Sequence, residues 1–305
     1  PGEVRQGLIG LWRQQDAVRQ AALRASPHTV ARRLRDLYPL GGEDAGAAWI
    51  PGRLLDGAET ENLCFVAACC QHPGTPVEAD RADTSMLAIA EGLDNGTIPA
   101  QFMCLVGDQI YADATAGLTD SLSPIERIRS ATLRAFNAAG FRKVTSRLPT
   151  YMTLDDHEIE NEWSLDRLEF RPGHEGKQAK AERLRDAAIG YFKAYQWMHS
   201  PCNGRAPNGF DYSFDAIGSR FYALDTRSQR RRFDRPQVCD PAQLTALNEW
   251  LASGKGVDSD ALHVITMGSV LAPGLHAFDT GGSVPHPAAD NWQLAPEQRR
   301  QVLEA

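Results

Sequence analysis

The feature that most constrains this chain is a set of six short apolar runs. They are "LCFVAACC" (63–70), "QFMCLVGD" (101–108), "YMTLDD" (151–156), "FDYSFDAI" (210–217), "RFYALDT" (220–226) and "LHVITMG" (262–268). Runs of this length and composition read as buried strands. Helical signals fall between them. Ser123-Pro124-Ile125-Glu126 is a capping box with Pro at the first helical position, and Gly140 fits the stop. Leu184, Ala188, Tyr191, Tyr195 and Met198 form a helical stripe ahead of Pro201, which reads as core. Asp240-Pro241 opens another helix, closed at Gly254, and Pro296 opens a last one. Strands alternating with helices predict a layered α/β fold, in which chemistry collects where strands end.

With 305 residues there is room for one large domain or two small ones. The first 38 residues read as arginine-rich helix, with Leu8, Leu11, Trp12 and Val18 on one face. "LGGEDAGAAWIPG" follows as a linker, so the expected division is a helical extension and linker over 1–55 and a main domain over 56–305. The formal net charge of -7 disfavours nucleic acid as the main partner, because phosphate binding needs a basic footprint. No apolar run approaches the roughly 18–20 residues of a membrane span. The N-terminus lacks the apolar stretch of a signal peptide. A cytoplasmic location is therefore expected, or a secreted or periplasmic one if a signal was removed. Cys64, Cys69 and Cys104 lie in apolar runs and read as reduced core residues. Oligomeric state is not encoded in any of these features.

Three polar motifs stand at strand exits. In "LVGDQIYAD", Gly107 lets the backbone turn sharply so that the Asp108 carboxylate projects from the strand end, with Tyr111 three residues on. A carboxylate can bridge two hard cations, and a phenolate suits an Fe(III)-like ion. The plainer reading is a Gly-Asp turn. In "TLDDHEIENEW", Asp155, Asp156, His157 and Glu158 leave the strand together. Acids beside a histidine raise its pKa, and a protonated histidine next to a phosphate can protonate a leaving group. The plainer reading is an acidic helix start, which suits Glu158, Glu160 and Glu162. In "ACCQHPGTP", Cys70 offers a thiolate at a strand end, with His72 as a rival ligand; a buried, inert thiol is the alternative.

Taken in order, these motifs resemble the PhoD-type alkaline phosphatase/phosphodiesterase branch of the calcineurin-like metallophosphatases. "CCQ" resembles that family's Ser-Cys-Gln segment, "GDQIYAD" its Gly-Asp-x-x-Tyr segment, and "LDDHEIENEW" its Asp-Asp-His-Glu block. "FYALDTRSQR" (221–230) resembles its Leu-Asp-Thr-Arg segment. The resemblance implies a two-sheet sandwich flanked by helices and a dinuclear or multinuclear metal centre. Fe(III) with Ca(II) is the implied pair, with Zn, Mn or Mg as substitutes. It implies that Cys70 and Tyr111 bind iron, Asp108 bridges to the second metal, and Asp156 binds that metal. His157 would be the catalytic histidine, and Arg227 would touch substrate or merely pair with Asp225. The implied activity is hydrolysis of phosphate mono- or diesters, hydroxide held by the metals attacking phosphorus while His157 assists the leaving oxygen.

The chain departs from the pattern twice. The family's Asp-x-His at the first strand is replaced by the Cys-Gln version, and no Gly-Asp-x-His motif follows "ITMGSVLAPG" (265–274). The domain is therefore expected to be C-terminally incomplete. An alternative function is a catalytically impaired family member acting in binding or assembly. Asp155 and Glu158 are left between support for His157 and plain turn chemistry, and Glu160 and Glu162 are expected to be solvated.

Overall fold

The structure is a computed structural model and describes residues 63–73, 81–114, 123–169, 175–201, 209–233, 235–253, 262–271 and 291–304. The expected N-terminal helix and the 55/56 division lie outside these residues. All six apolar runs hold strands: β1 (Phe65–Ala68), β2 (Phe102–Leu105), β3 (Thr150–Met152), β4 (Tyr212–Ala216), β5 (Ser219–Leu224) and β6 (His263–Met267). The helices are α1 (Arg81–Asp94), α2 (Pro124–Asn137), α3 (Ala139–Thr145), α4 (Glu175–Tyr195), α5 (Pro241–Ser253) and α6 (Pro296–Glu304).

The strands form two three-stranded sheets. Sheet A, in the order β1-β2-β3, is wholly parallel, with Phe65 opposite Phe102 and Met103 opposite Thr150. Sheet B, in the order β4-β5-β6, joins an antiparallel hairpin to a parallel pair. Alternation along each strand sorts the side chains into layers. Phe102 and Cys104 of β2 and Phe221 and Ala223 of β5 point between the sheets. Aromatic rings dominate that interface: Phe102 and Phe221 meet edge to face at 5.2 Å, and Tyr151 stacks on Phe214 at 3.9 Å. The alternate residues face outward onto helices. Met103 and Leu105 pack with Met86, Phe141 and Val144 of α1 and α3. Tyr222 and Leu224 pack with Leu244, Leu247 and Trp250 of α5 and Val302 of α6. Strands covered on both faces explain why the runs read as continuously apolar rather than alternating.

The Ser123 hydroxyl accepts the Glu126 N–H, as the capping box predicts. Gly140, however, does not end α2, which stops at Asn137. It lies in α3, where it permits close approach of α1: a Cβ there would stand 2.7 Å from the Leu87 nitrogen, and its N–H donates to Asp83 Oδ2 at 2.6 Å. The α4 stripe is core only in part. Leu184 and Ala188 are buried, whereas Met198 lies beyond the helix and is 44% exposed. Cys104 is buried as expected, but Cys69, just past the end of β1, is exposed.

Candidate active site

The exits of β1, β2 and β3 lie side by side because sheet A is parallel. Beyond β1 and β2 the backbone turns through left-handed residues, Cys70 (φ 57°), Gly107 (φ 103°) and Asp108 (φ 57°). For Cys and Asp this conformation costs about 1–2 kcal/mol each, so packing must hold it. Two backbone bonds do so, Cys70 N–H to the Gly107 carbonyl at 3.4 Å and Gln71 N–H to the Asp108 carbonyl at 2.8 Å. The outcome is convergence on one atom. Cys70 Sγ lies 3.5 Å from Asp108 Oδ2, and the Tyr111 hydroxyl donates to the same oxygen at 3.2 Å.

Asp156 and His157 arrive from the end of β3. Carboxylate oxygens of Asp108 and Asp156 and a ring nitrogen of His157, atoms able to face a cation, lie within 4.8 Å of one another, a grouping unique among the described residues. Asp108 Oδ1 is buried and has no hydrogen-bond partner there. Burial, and then the charge of Asp156, raise the pKa of Asp108. Burial, a hydrogen bond with Cys69 and the Asp108 charge push the Cys70 thiol up to about 12. Burial, then the charges of Asp108 and Cys70, also raise the Tyr111 phenol. A cation placed among these groups would offset the cost that burial and mutual repulsion put on their ionised forms.

His157 is fixed on two sides. Its Nδ1 lies 2.7 Å from Asp113 Oδ1, while Asp113 Oδ2 accepts the Asn161 N–H at 2.6 Å. The Tyr111 ring stacks on the imidazole at 4.3 Å. Burial works to lower the His157 pKa, but Asp113, Asp156 and Asp108 outweigh it and raise it to about 9. The Asp113 carboxyl is held below its usual range: burial opposes this, and the bonds from His157 and Asn161 prevail. Sequence reasoning missed Asp113. Its one signal is a place inside "GDQIYAD", and its partner is 44 residues away.

The other acids of "TLDDHEIENEW" divide by burial. Glu158 accepts the N–H groups of Asp108 (3.2 Å), Gln109 (2.8 Å), Ile110 (3.3 Å) and Asp155 (2.9 Å), and the Gln196 side-chain amide at 3.2 Å. It thereby stitches the β2 exit to the β3 exit. Burial and the Asp108 charge raise its pKa to about 8 against the backbone donors. Glu160 and Glu162 are not simply solvated: they pair with Arg167 and Arg232 at the surface. Asp156 Oδ2 accepts the Glu162 N–H at 2.5 Å.

Arg227, the residue expected to touch substrate or to pair with Asp225, lies inside the protein. Its side chain is fully buried and its guanidinium reaches Asp155. Asp225 instead accepts the backbone N–H groups of Arg227 and Ser228 at 3.0 and 2.9 Å, as the closing turn after β5 requires. His72 lies beside the cluster, its ring 4.7 Å from that of Tyr111.

Two face-to-face sheets flanked by helices, with a donor cluster at the exits of the parallel sheet, make up a metallophosphatase-like fold. A solved structure of PhoD overlays with a TM-score of 0.55 at 18% identity, covering 81% of this chain and 49% of PhoD. The chain thus spans about half the length of that structure. A purple acid phosphatase from yellow lupin (Lupinus luteus) seeds overlays with a TM-score of 0.40 at 13% identity, covering 69% of this chain and 31% of that one. No curated protein matches the chain. Residues 65–304 match the PhoD-like phosphatase family, and the chain belongs to that family.

Proposed function

We propose that this protein hydrolyses phosphate mono- or diesters at the cluster formed by Cys70, Asp108, Tyr111, Asp156 and His157, with a metal centre of two or more ions. The observation that carries this is the buried, unpartnered Asp108 Oδ1 amid converging donors, which a cation would satisfy. The donor chemistry fits. The Cys70 thiol and the Tyr111 phenol suit an iron-like ion, and the Asp108 and Asp156 carboxylates suit a harder ion such as calcium, with Zn, Mn or Mg as alternatives. When bound, such cations supply polarisation of the phosphoryl group and compensation of its developing charge.

The protein's own residues do the rest. Asp113 occupies His157 Nδ1, which leaves Nε2 to carry a proton to the leaving oxygen. The Tyr111 ring fixes the plane of the imidazole. Glu158 and Gln196 hold the Asp108 turn in register with the β3 exit.

The test is hydrolysis of p-nitrophenyl phosphate and bis-p-nitrophenyl phosphate by the full-length protein, after chelation and after return of iron, calcium, manganese or zinc. Metal-dependent turnover is the expected result. A folded protein that takes up no metal overturns the reading. One that holds stoichiometric metal yet hydrolyses neither ester favours a role in binding or assembly.

A further inference from the structure

The pair Asp155-Asp156 sets a problem of charge: two adjacent acids, both buried, share one strand exit. The structure treats them differently. Arg227, wholly buried, directs Nε and Nη2 onto Asp155 Oδ1 at 2.7 and 2.6 Å, while Nη2 is 3.7 Å from Asp156 Oδ1. Its Nη1 donates to the Trp163 carbonyl at 3.2 Å. Asp155 is also hemmed in by two glycines. A Cβ on Gly107 would stand 2.5 Å from the Asp155 Cβ, and one on Gly268 would stand 2.7 Å from its Cγ and Oδ2. The exits of β2, β3, β5 and β6 therefore all meet at this one carboxylate.

We propose that Arg227 is a positioning residue that serves as a built-in counter-cation. It claims Asp155, keeps that carboxylate out of the metal centre, and leaves Asp156 as the member of the pair that faces the ions. Arginine suits the task because its guanidinium stays charged when buried and its fork spans a carboxylate and a carbonyl together. The two sheets are thereby tied at the point where the metal ligands emerge, and the ligand count is set by a charge inside the protein. The inference rests on the metal-centre reading above.

The experiment compares thermal midpoints in chelator and with excess Ca²⁺ or Mn²⁺, for the wild type, Arg227→Met, and Arg227→Met combined with Asp155→Asn. Arg227→Met removes the buried ion pair to Asp155, so its midpoint falls in chelator. A divalent ion then takes the guanidinium's place, and the ion-induced rise exceeds that of the wild type. The double variant removes both charges, so it is more stable in chelator than Arg227→Met and its ion-induced rise is no larger than the wild type's. A general structural role would not produce an enlarged ion response. If Arg227→Met does not fold, Asp155→Asn carries the test. There Arg227, freed from Asp155, competes for Asp156, and Ca²⁺ affinity by calorimetry falls about tenfold or more. Equal ion responses in the wild type and Arg227→Met, or unchanged Ca²⁺ affinity in Asp155→Asn, overturn the proposal alone. A wild type with no ion response overturns the metal-centre reading and this proposal with it.

Discussion

The two sheets have three strands each and lie face to face, yet they do different work. Every donor of the candidate site leaves sheet A: Cys70 after β1, Asp108 and Tyr111 after β2, Asp156 and His157 after β3. Sheet B contributes Arg227 and Gly268, which meet Asp155 from the ends of β5 and β6. The parallel order explains the asymmetry. Three parallel strands bring three exits to one edge, where turns can aim polar groups at a common point. In sheet B the β4–β5 hairpin sends those neighbours in opposite directions, so fewer of its exits reach that edge. Changes at sheet A exits should therefore alter rate and metal content, and changes in the body of sheet B, away from Arg227, should alter stability.

The sharpest test of that division is His157→Ala. It should lose about 10²–10⁴-fold in kcat while keeping its metal, because it removes a proton donor rather than a ligand of the ions. Metal analysis beside the ester assay separates the two; full activity in the variant would remove His157 from its assigned role. The matching change in sheet B is Phe221→Ala. Phe221 is fully buried, with Phe65, Phe102 and Phe214 rings at 5.4, 5.2 and 4.8 Å. Its truncation should cost about 3–5 kcal/mol in denaturant unfolding, with kcat of the folded fraction unchanged. A large loss of kcat there would mean that the sheets are not separable in this way.

Asp113→Asn should lower kcat by about 10–100-fold, the usual effect of removing the partner that orients a site group. It also has a signature in metal-free protein. Because Asp113 helps to raise the His157 pKa to about 9, the variant's value should fall toward the ordinary 6.5 or so. The linkage has a definite sign. A histidine pKa raised by folding contributes stability that is complete below its unfolded pKa and is lost as pH rises through about 9. The metal-free wild type should thus lose more stability than Asp113→Asn between those limits, which NMR titration of the imidazole and thermal melts at several pH values can follow.

How much of this was legible in the sequence follows from how local each signal is. The strands were readable because each is a compact apolar run, and the capping box at Ser123 because four consecutive residues carry it. Cys70, Asp108, Tyr111, Asp156 and His157 were readable as motifs at run ends, and the structure brings them together. Asp113 and the Asp155–Arg227 pair were not, because their meaning lies in partners 44 and 72 residues away. Gly140 misled for the same reason. It looks like a helix stop, but its lack of a side chain serves a helix-to-helix contact made through Asp83 and Leu87.

The smallest effect expected concerns backbone strain, which both sheets contain. Ile217 (φ 49°) and Gly218 (φ 69°) form the two-residue turn between Ala216 and Ser219 of the β4–β5 hairpin. Such a turn favours Asn-Gly, and a β-branched residue is poorly suited to positive φ. Ile217→Asn should relieve the strain and stabilise the protein by about 1 kcal/mol, with kcat unchanged. Cys70 has the same left-handed backbone, so Cys70→Gly should also raise the midpoint of metal-free protein. There the gain should come with loss of the midpoint rise on adding iron, because the thiol that the strained turn presents is gone. If both substitutions proved stabilising without effect on metal, the left-handed turn at Cys70 would be ordinary loop geometry. If only Ile217→Asn leaves the iron response intact, the strain in sheet A is tied to its donors and the strain in sheet B is not.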